Sequence, residues 1–126
     1  MVETIIIDIR LAIVFGTIIP KPAAKAPFLV KGWGIRREEQ ALIYKIPNHK
    51  KPEKPYEKGI TVSEFEKAYQ EIQRTGFFTR KWFDRTLSKC SQEGGCNFTT
   101  IGGIFQLLGI ATYSKRGVYT ILPQKS

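Results

Sequence analysis

Between Pro47 and Gly59 the chain carries three prolines and four lysines. Proline fixes φ and removes a backbone donor, and clustered like charges keep a segment in water, so this run predicts an extended, solvated connector without regular structure. It divides a chain of 126 residues, a length that buries one core, or a small core with a subdomain packed against it, whereas two independent domains would each sit near the lower limit of stability. The expectation is one compact α+β unit in two parts: residues 1–59, β-rich and ending in the connector, and residues 60–126, mostly helical.

Ahead of the connector, the segment from Thr4 to Ile19 is dense in β-branched residues. Strand alternation places Ile5, Ile7, Ile9, Leu11, Ile13 and Phe15 on one face, with Asp8 and Arg10 on the other, so half-buried strand is expected, its length suggesting two strands with a bend and Gly16 marking a bulge. Two further strands are expected at Phe28–Ile35 and Ala41–Ile46, joined by the polar loop Arg36-Arg37-Glu38-Glu39-Gln40 into a small antiparallel sheet. Arg37–Tyr44 also fits the start of a short helix, because Glu, Gln, Ala and Leu favour that state.

After the connector, Thr61-Val62-Ser63-Glu64 is a capping box, and Val62, Phe65, Tyr69 and Ile72 follow at helical spacing up to Gly76, a suitable stop. Thr79 can cap a second helix whose outer face is basic (Arg80, Lys81, Arg85, Lys89), while Phe77, Phe78, Trp82 and Phe83 at its entrance belong to the core. Past Gly94-Gly95, Asn97 or Thr99 can cap a third helix bearing Ile101, Ile104, Phe105 and Leu108 and ending at Gly109. Ile110–Tyr113 and Val118–Leu122, around Ser114-Lys115-Arg116-Gly117, make a β-hairpin.

Three short helices and a two-stranded wing over Thr61–Leu122 resemble the winged-helix family in element order and spacing. That resemblance implies a nucleic-acid-binding role, with the third helix in the major groove and the wing tip near the backbone. The equivalent helix here, Thr99-Thr100-Ile101-Gly102-Gly103-Ile104-Phe105-Gln106-Leu107-Leu108, departs from the pattern in having no Lys or Arg. Thr99, Thr100 and Gln106 are its candidates for base or phosphate contacts.

Charge supports a polyanionic partner. Twenty Lys and Arg against 11 Asp and Glu give +9, divided as 11 − 6 = +5 before Gly59 and 9 − 5 = +4 after it, which is a basic surface and not a basic tail. Phosphate contacts are expected from Arg80, Lys81, Arg85 and Lys89 on the second helix and from Lys115 and Arg116 on the wing, giving salt-sensitive binding with weak sequence discrimination. Trp33, between Gly32 and Gly34 and near Lys31 and Arg36, is a candidate stacking platform for an unpaired base. DNA is expected ahead of RNA. The rival expectation is a protein-interaction module in which the apolar strand Thr4–Ile19 pairs with a second copy as a homodimer.

Other classes find little support. His49 has no Cys, Asp or Glu at ligand spacing, so neither a metal site nor a Cys-His pair can be built around it. Phosphate-loop, nucleophile-elbow and dinucleotide motifs are missing, and no catalytic residues, cofactor or small-molecule ligand are expected. Leu11–Ile19 is too short to span a bilayer and is preceded by Glu3 and Asp8, so no membrane insertion or export signal is expected. Cys90 and Cys96 suit reduced thiols in a cytoplasmic protein, with a local disulfide as the alternative.

Overall fold

The computed structural model describes residues 2–123, with side chains from residue 5 onward. The capping box forms as its spacing predicts. The Glu64 amide donates to Thr61 Oγ1 at 3.2 Å, and Glu64 Oε1 accepts from the Thr61 amide at 2.8 Å. From this start helix α2 runs over Val62–Thr75 and ends at Gly76, whose φ of 86° is the left-handed conformation of a C-terminal stop.

The largest departure from expectation lies at the N-terminus, where Val2–Ala12 is a helix, α1, and the only strand in this region is β1, Ile18–Ile19. The burial pattern explains it: Ile5, Ile6, Ile9 and Ile13 are buried, whereas Ile7, Leu11 and Phe15, which a strand would have put on the same face, are 54%, 77% and 76% exposed. An isoleucine lowers helix propensity by only a few tenths of ~1 kcal/mol, while burying its side chain gains ~1.5–3 kcal/mol. Helical spacing of the buried isoleucines therefore overrides the β-branched composition.

β1 is one edge of a four-stranded antiparallel sheet, completed by β2 (Phe28–Arg36), β3 (Glu39–Ile46) and β4 (Tyr56–Thr61) in the order β1-β2-β3-β4. The two expected strands are present as β2 and β3. Their connection is tighter than a five-residue loop, because Arg37 and Glu38 both adopt positive φ, 49° and 64°, the handedness that closes a two-residue hairpin along the twist of its strands. No helix begins there.

The connector is likewise shorter than expected. Residues 47–55 form the irregular part, in which Asn48 accepts from the Lys50 and Lys51 amides and donates to the Lys54 carbonyl. Tyr56 then pairs with Ile46 and Gly59 with Ile43, so the boundary proposed at Gly59 falls inside β4, which passes directly into α2. One buried cluster runs from Ile5 through Leu42, Tyr44 and Phe65 to Tyr119. Both parts of the chain contribute to it.

Beyond α2 comes a strand that the sequence patterning did not indicate, β5 (Phe77–Thr79), then α3 (Arg80–Thr86), α4 (Ser88–Glu93), α5 (Cys96–Leu107), β6 (Ala111–Lys115) and β7 (Val118–Ile121). β7 pairs with both β5 and β6, giving a three-stranded sheet in the order β5-β7-β6. Thr79 caps α3 through the Trp82 amide at 3.1 Å. The basic second helix does not continue to Lys89, since Leu87 (φ −105°, ψ 52°) breaks it into α3 and α4. α5 begins at Cys96, ahead of the expected caps; Asn97 is buried within it and donates to the Cys90 carbonyl at 2.9 Å.

Phe78 sits at the centre of the aromatic core, with ring centroids 4.8 Å from Phe98 and 6.3 Å from Tyr119. α5 is covered closely on two adjacent faces. A Cβ on Gly102 would lie 2.1 Å from the Tyr119 ring, and one on Gly103 would lie 2.5 Å from the Pro20 carbonyl. These glycines trade helix propensity for close packing. The Tyr119 hydroxyl is buried without a hydrogen-bond partner among the described residues.

Two stability outcomes follow from this packing. Gly102→Ala is expected to destabilise by ~1–3 kcal/mol through overpacking, despite the better helix propensity of alanine. Tyr119→Phe is expected to be neutral or stabilising, because it removes an unsatisfied buried hydroxyl. Urea unfolding of both variants beside the wild type checks the pair.

Candidate functional site

Arg80 is the residue around which the concave face of the molecule is built. Its amide donates to the Gly117 carbonyl at 2.9 Å, tying the start of α3 to the β6–β7 turn. Its guanidinium donates to the Gly95 carbonyl at 2.7 Å and lies 4.6 Å above the Phe98 ring. With Thr79 paired to Val118, these contacts place Lys81 of α3 next to Lys115 and Arg116 of the hairpin. All three of those side chains are exposed.

Opposite this wall runs the segment between β1 and β2, anchored by Lys21. Its Nζ donates to the Cys96 carbonyl at 2.8 Å, to Thr99 Oγ1 at 2.8 Å and to Thr100 Oγ1 at 2.7 Å. The same ammonium lies 4.4 Å from the centre of the Phe28 ring. Burial lowers the Lys21 pKa from 10.5 to about 7; the Cys96 thiol acts against this fall and Arg80 reinforces it.

Between the two walls is an open cleft of about 1040 Å³ with Cys96, Phe98 and Thr99 at its base. Lys21, Arg80, Lys81, Lys115 and Arg116 line it, and none of the lining residues is Asp or Glu. Four cations, Arg80, Lys81, Lys115 and Arg116, converge without a carboxylate, and Lys21 adds a fifth charge only when protonated, below about pH 7. Such a surface attracts phosphate groups and offers nothing that would position a metal ion, and no cluster of His, Cys, Asp and Glu suited to a metal occurs among the described residues.

Of the residues nominated from sequence, the fold brings Arg80, Lys81, Thr99, Lys115 and Arg116 together in this cleft. Thr100 lies just beneath it, buried, with its hydroxyl engaged by Lys21 and the Cys96 carbonyl. Gln106 is half-buried near the opposite end of α5. Arg85 is exposed outside the cleft, and Lys89 borders a separate depression of about 310 Å³ that contains Glu39 and Glu64. Trp33 packs against the core, and Arg10 lies 4.1 Å over its ring.

Lys21 and Phe28 were not nominated, because the spacer from Pro20 to Pro27 reads as a plain connection. The signal available was Pro20-Lys21-Pro22, a lysine held between two prolines and so restricted in backbone conformation. The thiols are free, Cys90 buried and Cys96 at the cleft base; Tyr44 pairs with Cys96 at 3.2 Å. The described residues contain no helix long and apolar enough to cross a membrane.

Fold and site together define a small α+β protein with a cationic cleft between a four-stranded and a three-stranded sheet. No protein-family model matches the chain, and no curated protein or solved structure matches it either.

The buried lysine carries a pH signature. Between about 7 and 10.5 the unfolded chain holds a proton on Lys21 that the folded protein lacks, so stability rises with pH across that window, by at most ~1.4 kcal/mol per pH unit. Burial raises the pKa of Cys90 above 9.0 and those of Tyr44 and Tyr119 above 10.0. These groups ionise first in the unfolded chain and therefore lower stability at higher pH. Thermal unfolding is expected to show a maximum near pH ~9, and the rise from pH ~7 to that maximum is expected to disappear in Lys21→Met.

Proposed function

We propose that the protein binds nucleic acid, DNA foremost, through phosphate contacts in the cationic cleft and with weak sequence discrimination. The observation that carries this reading is the convergence of Arg80, Lys81, Lys115 and Arg116 on one concave surface free of carboxylates. Net charge of +9 supplies the long-range attraction. Contact would come from the wing and α3, since Asn97, Phe98 and Thr100–Phe105 of α5 are buried and have no reach to a groove.

Removing Lys81, Lys115 and Arg116 together by alanine substitution is expected to weaken DNA binding and to reduce the slope of log affinity against log salt by roughly 2, at ~0.7–0.9 for each phosphate that is no longer neutralised. The pair Arg85→Ala and Lys89→Ala, outside the cleft, serves as the control. Fluorescence anisotropy at several salt concentrations makes the comparison. Equal slopes in both variants would remove the cleft from the reading.

A second reading, self-association, is favoured by the exposed apolar face formed by Ile7, Leu11, Val14, Phe15 and Ile18. The helical structure of residues 2–12 rules out edge-to-edge strand pairing there, so two copies would meet through the α1 face. The face is suited to such a contact, because Asp8 and Arg10 balance in charge and two basic molecules can approach there. Light scattering after size exclusion is expected to report a dimer in the wild type and a monomer in Leu11→Asp/Phe15→Asp. A wild-type monomer at all concentrations would discard the second reading.

A further inference from the structure

The two walls of the cleft differ in chemistry. On the α3 and hairpin side stand Lys81, Lys115 and Arg116, all exposed; on the other, Pro22, Ala23 and Ala24 are exposed and carry no charge, and Phe28 continues that wall toward the base. A duplex matches this poorly, since its bases face inward and both of its outer edges are phosphate. A single strand matches it well, having phosphates along one edge and apolar base faces along the other.

Resting on the nucleic-acid reading above, we infer that the cleft takes one unpaired strand of DNA, its phosphates along Lys81, Lys115 and Arg116 and its bases against Pro22–Ala24 and Phe28. The size agrees: the open cleft of about 1040 Å³ has room for a short stretch of one strand. The geometry of the apolar wall is fixed from below. The three hydrogen bonds of Lys21 to the start of α5 hold its first residue, and Phe28 stacks on Tyr44 with centroids 6.2 Å apart and planes 23° from parallel. A wall anchored in this way needs little ordering when a base lies against it.

Anisotropy titrations with three probes of equal length test the inference at near-physiological salt: a single-stranded DNA, its duplex, and an abasic strand with the same phosphates and no bases. The single strand is expected to bind about tenfold more tightly than either of the others, the size of one stacked base. Phe28→Leu, which keeps an apolar side chain but removes the ring, is expected to lose several-fold of that preference without weakening duplex binding, with its fold checked by circular dichroism. Equal or tighter binding of the duplex, or equal binding of the abasic strand, overturns the single-strand inference while leaving nucleic-acid binding in place. Absence of binding by all three overturns both.

Discussion

The Arg37 guanidinium is the junction on which the rest of the architecture hangs. It donates to both carboxylate oxygens of Glu64, at 2.7 and 2.8 Å, to Glu93 Oε1 at 3.0 Å and to the Gly59 carbonyl at 2.8 Å. Glu64 closes the capping box of α2, and Glu93 accepts in addition from Arg36, from the Gly59 amide and from Asn97. Burial alone would raise the Glu93 pKa, but the hydrogen bonds from Arg37, Asn97 and the Gly59 amide hold it below its ordinary value. A hairpin turn, an edge strand, a helix start and the end of α4 thus meet at one guanidinium. Arg37 and Glu93 are only half-buried, so water screens part of the charge, and losing one partner costs less than the full penalty of a buried unpaired ion.

From that junction the geometry reaches the cleft in two steps. Asn97, held by Glu93 and the Cys90 carbonyl, also accepts from the Tyr44 hydroxyl, fixing α5 against β3. Cys96 and Thr99 flank Asn97 on the first turn of the same helix and present their oxygens to Lys21. The cationic wall is set independently, through Arg80 and the pairing of β5 with β7. The cleft is therefore a composite, one wall belonging to each part of the chain.

Much of the second half was legible because its signals are local. Thr61 with Glu64, Thr79 and Gly76 each satisfy or terminate a helix using atoms within one turn, and such chemistry survives in the sequence whatever the tertiary context. The N-terminal helix was not legible, because Ile5, Ile9 and Ile13 share a face at both periods: they are spaced by four, which is even for a strand and close to one helical turn. Only the burial of Ile6 and the exposure of Ile7 and Leu11 separate the two. β5 escaped because three residues between helices show no alternation. Among the site residues, the basic ones on α3 and the hairpin were visible as charge, whereas Lys21 became part of the site only through a contact 79 residues away in sequence. The contact of Arg10 with the Trp33 ring likewise comes from another element.

The contacts of Gly103 carry a consequence for how the chain comes to be folded. Pro20 and Ile19 lie against this glycine of α5, so the N-terminal segment finds its seat only once a helix that begins at Cys96 exists. During synthesis from the N-terminus, the four-stranded sheet can pair its strands early, but its β1 edge and the lysine beyond it have nothing to dock on until α5 has emerged. At ~5–20 residues synthesised per second, the intervening residues take seconds to emerge, far longer than a hairpin takes to form. The cleft is therefore a product of the completed chain: without α5, Lys21 loses its three acceptors and the cleft loses its base.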